Sequence, residues 1–243
     1  MTDVGERVST EVGQGRAMSF PARAVGIFTA PSRVFEELKR RPAWLAPLLL
    51  VTLLLAGLYG ILFVTQAGQT ALRQQMQEAN EKAGRQIPPE TVDQQVTVTR
   101  YFWPASILIF TPLITFLLAG LVYLIFSIGL GGEGTFKQIF AAYCHVGLIG
   151  LIGGLVTITV IYLKQSVKAS TTMTAFLPFL DEASFLYKFF RCIDVFVLWQ
   201  LGVLSIGMGI LNNLSTKKAA MVLFSLYLSI SLIVAVIWQA LSP

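Results

Sequence analysis

The chain has 243 residues, of which 55% are hydrophobic and 13% are charged. A soluble domain of this length carries about twice that charged fraction, so the composition excludes an ordinary soluble protein. The formal net charge is +5, but Lys and Arg lie mainly beside apolar runs, where they act in membrane topology and headgroup binding. We therefore expect the lipid bilayer, and no nucleic acid, as a partner.

The apolar residues form five long continuous runs, over residues 44–64, 102–130, 140–163, 189–211 and 221–241. A helix needs about 20 apolar residues to cross a hydrocarbon core about 30 Å thick. The runs do not alternate as barrel strands do, so they predict helices. The fold class is an all-α integral membrane protein with five transmembrane helices, a short amphipathic interfacial helix before them, and an extramembrane helical hairpin between the first two.

Three segments follow from this pattern: a polar tail over 1–17, an interfacial segment over 18–42, and the membrane domain over 43–243. The tail has no apolar stretch with a cleavage site, so it is not a secretory signal peptide. Its composition is typical of a mobile terminus.

The interfacial segment contains a helix predicted over 31–41, with Val34, Phe35 and Leu38 on one apolar face and Arg40 and Arg41 at its basic end. Two interpretations are open. Either the helix lies in the membrane plane with this face in lipid, or it packs as a collar on the cytoplasmic loops.

Positive charge before the first span predicts a cytoplasmic N-terminus, and five spans then place the C-terminus outside. Lys164, Lys168, Lys188 and Arg191 favour the inverse orientation. The first span usually dominates, so we keep the first assignment.

The loop over 65–101 is helical in character. Leu72, Met76, Ala79 and Ala83 form an apolar stripe, and a second one begins after Pro88–Pro89 with Val92 and Val96. This pattern predicts an antiparallel helical hairpin with its tip at 87–90, which either joins two long helices or binds a partner.

The connection over 131–138 is short and rich in glycine. Thr135 and Gln138 have the spacing of a capping box at the start of the third span. The loop lacks the spacing of a phosphate-binding P-loop, so we interpret it as a structural turn.

Small residues four apart allow close helix packing. They occur in three spans, and the candidates are Ala56, Gly60, Gly150, Gly154, Ser205 and Gly209. Such faces pack within one chain or form a homodimer seam, and both interpretations stay open.

Intramembrane polar residues are costly and are default functional candidates; here they are His145, Asp194 and Asn212. His145 and Asp194 lie near opposite ends of their spans, so they cannot form a direct relay. We expect Asp194 to pair with Arg191 and with the positive end of its own helix. One His and two Cys at different depths cannot complete a metal site, so no catalytic, metal or cofactor site is expected.

Three blocks are similar to the Ypt/Rab-interacting-protein (Yip) domain family across most of residues 30–240. They are Ala-Pro-Ser-Arg-Val-Phe-Glu-Glu-Leu (30–38) with Pro-Ala-Trp-Leu-Ala-Pro (42–47), Gly-Gly-Glu-Gly-Thr-Phe-Lys-Gln (131–138), and Asp-Val-Phe-Val-Leu-Trp (194–199). The resemblance implies five helices with the N-terminus inside. Eukaryotic relatives bind prenylated GTPases in vesicle traffic, but the compact form resembles the bacterial branch, to which that role does not transfer.

Two functions remain. The first is a non-enzymatic scaffold of the bacterial inner membrane that associates with lipid, with itself or with another membrane protein. The second is a small-solute or ion transporter or channel. The scarcity of intramembrane charge and the lack of an evident inverted repeat favour the scaffold.

Overall fold

The computed structural model describes residues 17–167 and 171–241. Residues 1–16 of the tail predicted over 1–17, and Lys168, lie outside the described residues. In the described ranges the chain is helical, and its β-pairing is limited to a single bridge between Thr172 and Asp194. An all-α fold is therefore confirmed for this part of the chain.

Most consecutive helices are joined by short connections, whereas residues 165–184 separate α6 from α7 in the sequence. They are α1 (Phe20–Thr29), α2 (Pro31–Arg40), α3 (Leu45–Val64), α4 (Gln66–Lys82), α5 (Pro89–Tyr123), α6 (Phe136–Lys164), α7 (Phe185–Arg191), α8 (Val195–Leu211) and α9 (Thr216–Leu241). A π-helical turn, Leu124–Gly129, extends α5, and a 3₁₀ turn spans Met173–Phe176.

Four helices in the described ranges are long and apolar enough to cross a membrane. They are α3, α5 with its π-helical extension, α6 and α9, with 20, 41, 29 and 26 residues. At 17 residues, α8 is about 25 Å long and shorter than the hydrocarbon core. The chain is therefore a multi-pass membrane protein, whereas the exact set of five spans stays a prediction.

The prediction of one continuous helix over 189–211 is wrong. Helix α7 ends at Arg191 and α8 begins at Val195, after Asp194 has turned its side chain back to cap α8. An N-cap residue has extended backbone angles, and Asp194 has φ −99° and ψ 133°. The polar cap therefore interrupts an otherwise apolar run.

The bundle has two ends, which we name by what they carry. The α2 end holds α1, α2, the loop over 131–135 and the turn over 212–215; the hairpin end holds α4, the start of α5, and residues 165–167 and 171–194. Helix α6 lies at the centre, in contact with α3, α5 and α8.

Two glycines let α6 approach its neighbours closely. A Cβ added to Gly150 would lie 2.4 Å from Nε2 of Gln200 on α8, and one on Gly154 would lie 2.5 Å from Cδ2 of Leu55 on α3. Both distances are far below van der Waals contact. These glycines therefore serve packing within the chain.

The other small residues also face their own chain. Ala56 and Ser205 are buried, Gly60 faces Pro104 of α5 at 3.8 Å, and Gly209 faces Leu214 and Thr216. All six candidates thus have neighbours within the chain, and a homodimer seam that uses these faces stays a prediction.

The predicted hairpin is present and packs on the bundle. Leu72 of α4 and Val92 and Val96 of α5 are buried in one apolar cluster with Phe63. Arg73 donates to Asp93 across the two helices, with Nε 3.0 Å from Oδ1. The turn falls at 83–88, slightly before the expected tip, because α5 already begins at Pro89.

A sharp break at Thr65 separates α3 from α4. The Thr65 hydroxyl accepts from the amide N–H of Gly68 at 3.1 Å and donates to the Leu62 carbonyl at 2.6 Å. This cap brings the α4 backbone so close that a Cβ on Gly68 would lie 2.1 Å from the Leu62 oxygen.

We expect Gly68→Ala to lower the free energy of unfolding by about 1–3 kcal/mol, because the new methyl group meets backbone that cannot rotate away. Thermal unfolding in detergent measures the effect. Gly57→Ala is the matched control, since a Cβ on Gly57 meets nothing within 4 Å. Equal melting temperatures for the two variants would contradict the close approach.

Candidate functional site: a polar clasp at the α2 end

The apolar face of α2 is buried in protein. Val34, Phe35 and Leu38 have no exposed surface, and α2 packs on α8 and α6. The Phe35 ring lies so close to α8 that a Cβ on Gly207 would be 2.8 Å from it. Lipid contact by these three side chains is therefore wrong. They pack on helices α8 and α6, which differs from the expected collar on the cytoplasmic loops.

The charged face of α2 points away from the bundle. Arg40 and Arg41 are exposed, as are Ser32, Arg33 and Glu36 on the preceding turns. Membrane-surface contact by Arg40 and Arg41 stays a prediction.

Helix α1 supports α2 and was missed in the sequence. Its N-cap is Ser19, which accepts from the Ala22 amide, and Pro21 lies in its first turn. A Cβ on Gly26 would lie 2.7 Å from Cγ2 of Val34, so α1 and α2 touch closely. The Ser-x-Pro start was the available signal.

Asn212, at the end of α8, is the centre of a buried polar cluster. Its Oδ1 accepts from the Gly134 amide at 3.1 Å, and its Nδ2 donates to the Met208 carbonyl at 3.2 Å. The Ser127 hydroxyl lies 3.0 Å from the same Oδ1 and 2.6 Å from the Gly134 carbonyl, so its one hydrogen is shared between the two acceptors. One amide side chain thereby joins the π-helical extension of α5, the following glycine loop and α8.

The glycines of that loop are required by Asn212. Added Cβ atoms on Gly132 and Gly134 would lie 2.4 and 2.8 Å from Asn212 Oδ1. Thr135 and Gln138 then form the predicted capping box of α6. The glycines of this loop thus leave room for the Asn212 side chain, and the residues that follow them begin α6.

Lys39 connects α2 to the same cluster. Its ammonium group donates to the Ile210 carbonyl at 2.9 Å and to Asn213 Oδ1 at 2.7 Å. Gln138 Nε2 donates to the Lys39 carbonyl at 2.6 Å, and Asn213 also donates to Glu133. A cation at the C-terminal end of α8 is favourably placed, since exposed carbonyls carry partial negative charge there.

We call this set the α2 clasp: Ser127, Glu133, Gly134, Gln138, Asn212 and Asn213 together with Lys39. Sequence reasoning selected Asn212 but chose Arg40 and Arg41 instead of Lys39. The signal for Lys39 was its position four residues after Phe35, on the helix face that meets the bundle.

His145 is separate from the clasp and from Asp194. It has no exposed surface, and its Nδ1 lies 2.8 Å from the Ala141 carbonyl. Its Nε2 has no hydrogen-bond partner among the described residues, and Arg23 of α1 lies within electrostatic range. The described residues contain no group of three or more His, Cys, Asp or Glu placed to hold a metal.

Asp194 is the N-cap of α8. Its Oδ1 accepts from the amides of Phe196 and Val197 at 2.8 and 3.1 Å, and its Oδ2 accepts from the Thr171 hydroxyl. Its role at the positive end of its own helix is therefore as expected.

The expected pairing of Asp194 with Arg191 is wrong. Arg191 donates to the Tyr187 hydroxyl at 3.2 Å and lies over the Trp238 ring, 5.7 Å from its centroid. Cys192 lies between Arg191 and Asp194 in the sequence. Burial raises the pKa of its thiol, and the positive charge of Arg191 opposes this rise. The thiol donates to the Lys188 carbonyl at 3.3 Å.

Replacing Asp194 tests its capping role. We expect Asp194→Ala to lower the free energy of unfolding by about 0.5–2 kcal/mol, whereas Asp194→Asn keeps a good N-cap and has a smaller effect. Thermal unfolding of both variants at neutral pH provides the comparison. If Asn were as damaging as Ala, charge rather than capping would be what matters at this position.

Comparisons with known proteins agree with this membrane architecture. The sequence model of the Yip1 domain family matches residues 25–238, from α1 to near the end of α9. Membrane protein YknW of Bacillus subtilis (strain 168) is 24% identical over 227 residues, which are 92% of this chain and 94% of YknW. No solved structure matches the chain.

Proposed function

The chain belongs to the Yip1 domain family and is a multi-pass membrane protein, and on this basis we propose that it is a non-enzymatic membrane scaffold. It holds the α1–α2 unit at a fixed position on the bundle and presents the charged face of α2 to a partner. The partner class is another membrane protein of the same bilayer, with lipid headgroups contacting Arg40 and Arg41.

The docking of α2 carries this proposal. Three side chains of α2 are fully buried, and the α2 clasp fixes its last turn through Lys39. An interaction surface is more effective when it is ordered in advance, because less conformational entropy is lost on binding. The exposed residues Ser32, Arg33 and Glu36 then form a surface with a constant orientation.

We further propose that the α2 end is cytoplasmic and that the membrane is the bacterial inner membrane. Arg33, Arg40, Arg41, Lys137 and Lys217 all lie at this end and are exposed. Positive residues beside short loops resist translocation.

Labelling with a membrane-impermeant maleimide tests this orientation. In a background without Cys144 and Cys192, we expect Arg85→Cys to react in intact cells and Lys137→Cys to react only after permeabilisation. Both positions are exposed, whereas Gly132 is unsuitable because a side chain there would overlap Asn212. The reverse pattern would overturn the orientation.

The scaffold role is tested by photo-crosslinking in native membranes from a reactive amino acid at Ser32 or Glu36. We expect a discrete membrane-protein adduct that disappears when Phe35→Ala releases α2. Gln94, exposed on the hairpin, is the control position. A smear that is identical at all positions, or an adduct unaffected by Phe35→Ala, would contradict the proposal.

A transporter is the second candidate, and one observation favours it. Thr52 of α3 and His145 of α6 each bury a polar side-chain atom without a hydrogen-bond partner among the described residues, and so does Arg23 of α1. Buried polar groups of this kind are often functional. Solute flux in proteoliposomes that is lost in His145→Ala, with unchanged stability, would promote this candidate over the scaffold.

A further inference from the structure

A half-open cavity of about 690 Å³ lies at the hairpin end, beside the C-terminal part of α6. One wall is a single stripe of α6, Val156, Val160 and Lys164, because residues four apart share a helix face. The stripe covers nine residues, and its ends are about 12 Å apart along the helix axis. Along α6 the lining of the cavity therefore changes from the charged side chain of Lys164, at the C-terminal end of the helix, to the apolar side chains of Val160 and Val156.

The rest of the lining is mixed. Val195 and Phe196 of α8 provide apolar surface, while Glu182 and the hydroxyl-bearing residues Thr171 and Tyr187 provide polar groups. Along α6 the lining changes from a charged to an apolar side chain, which is the polarity profile of a membrane lipid.

Two charged side chains line the cavity and are unpaired among the described residues. Lys164 and Glu182 are exposed, and neither makes an ion pair or a hydrogen bond within the part of the chain that the structure describes. They also do not pair with each other. A ligand that carries both an anion and a cation would satisfy the two side chains at once.

We propose that this cavity binds one phospholipid with a primary-amine headgroup. Its phosphate pairs with the Lys164 ammonium group, and its own ammonium group donates to the Glu182 carboxylate. The first part of one acyl chain lies along Val156, Val160 and Phe196, and the rest continues into the bilayer. An anionic lipid without an amine would leave Glu182 unpaired, and a quaternary amine has no N–H to donate to it.

This inference does not rest on the scaffold role, since the cavity and the α2 clasp lie at opposite ends of the bundle. Failure of one proposal therefore leaves the other standing.

Native mass spectrometry from mild detergent tests the proposal directly. The whole protein is equilibrated with equal amounts of phosphatidylethanolamine, phosphatidylcholine and phosphatidylglycerol that share the same acyl chains. We expect one phosphatidylethanolamine to be retained preferentially. Lys164→Gln and Glu182→Gln should each raise its apparent Kd about tenfold, as loss of a charge-assisted hydrogen bond implies.

Matched controls separate this site from general lipid contact. Lys217→Gln at the α2 end and Glu90→Gln on the hairpin remove the same charges from exposed positions outside the cavity and should leave retention unchanged. Val160→Trp narrows the apolar part of the cavity without touching a charge and should also reduce retention.

Two further ligands distinguish a lipid site from a small-anion site. Glycerophosphoethanolamine has the headgroup without the chains, and inorganic phosphate has only the anion. We expect both to bind at least tenfold more weakly than the whole lipid, because they bury no hydrocarbon. Binding of either as tight as that of the lipid would overturn the proposal. So would equal retention of the three lipids, or unchanged retention in both charge variants.

Discussion

Replacing Phe35 with alanine is expected to release α2 from the bundle and to lower the free energy of unfolding by about 3–5 kcal/mol, the usual cost of truncating a buried aromatic side chain. The ring is completely buried and packs against the backbone of α8 at Gly207. Alanine leaves this space unfilled. Thermal unfolding in detergent and amide hydrogen exchange of residues 31–40 measure the two effects.

Glu36→Ala is the matched control for Phe35→Ala. Glu36 is the next residue of the same helix but is exposed, so its removal should change stability by no more than about 0.5 kcal/mol. The docking would be contradicted if the two variants unfolded alike and exchange within α2 stayed slow in both.

The second large effect is expected at the centre of the α2 clasp. Asn212→Ala removes the acceptor of the buried Gly134 amide, and a buried donor without a partner costs about 1–3 kcal/mol. Gln94→Ala, on the exposed face of α5, should have no comparable effect. Thermal unfolding of the two variants measures the difference.

A double-mutant cycle makes this prediction specific. Gly134→Ala alone should destabilise the protein, because its Cβ would lie 2.8 Å from Asn212 Oδ1 and 3.2 Å from Cγ. In the Asn212→Ala background these atoms are gone, so Gly134→Ala should cost much less. Contacting residues typically couple by about 0.5–3 kcal/mol; strictly additive effects would mean that the two side chains do not meet.

Much of the architecture was predictable because membrane solvation acts on local sequence. A hydrocarbon core demands long apolar helices, and the runs that became α3, α5, α6 and α9 satisfy this demand. The hairpin was predictable for a related reason, since Leu72, Val92 and Val96 lie on stripes with helical spacing and are buried where the stripes meet.

The break between two helices depended on a single polar residue within a long apolar run. The break between α7 and α8 lies in a run where nearly every residue is apolar, and Asp194 alone carries the information. Asp is among the best N-cap residues, and here it caps α8. Read as a cap rather than as a charge within a span, it would have placed the helix start correctly.

The α2 clasp was beyond local reasoning. Lys39, Gly134 and Asn212 are far apart in the sequence, and their hydrogen bonds exist only after α2, the glycine loop and α8 have come together. The spacing from Phe35 places Lys39 on the face of α2 that meets the bundle, whereas Arg40 stays exposed. Tertiary packing alone decides which groups of α8 and the following turn Lys39 meets.

The most direct test of a fixed α1–α2 unit is a distance distribution between spin labels at Arg33 on α2 and Lys217 at the start of α9, measured by double electron–electron resonance in liposomes. Both positions are exposed and belong to different parts of the α2 end. We predict one narrow distance that does not change with the charge of the lipid and that broadens in Phe35→Ala. A broad distribution in the unmodified protein, shifting as anionic lipid is added, would show a helix that follows the membrane surface and would contradict the docked unit.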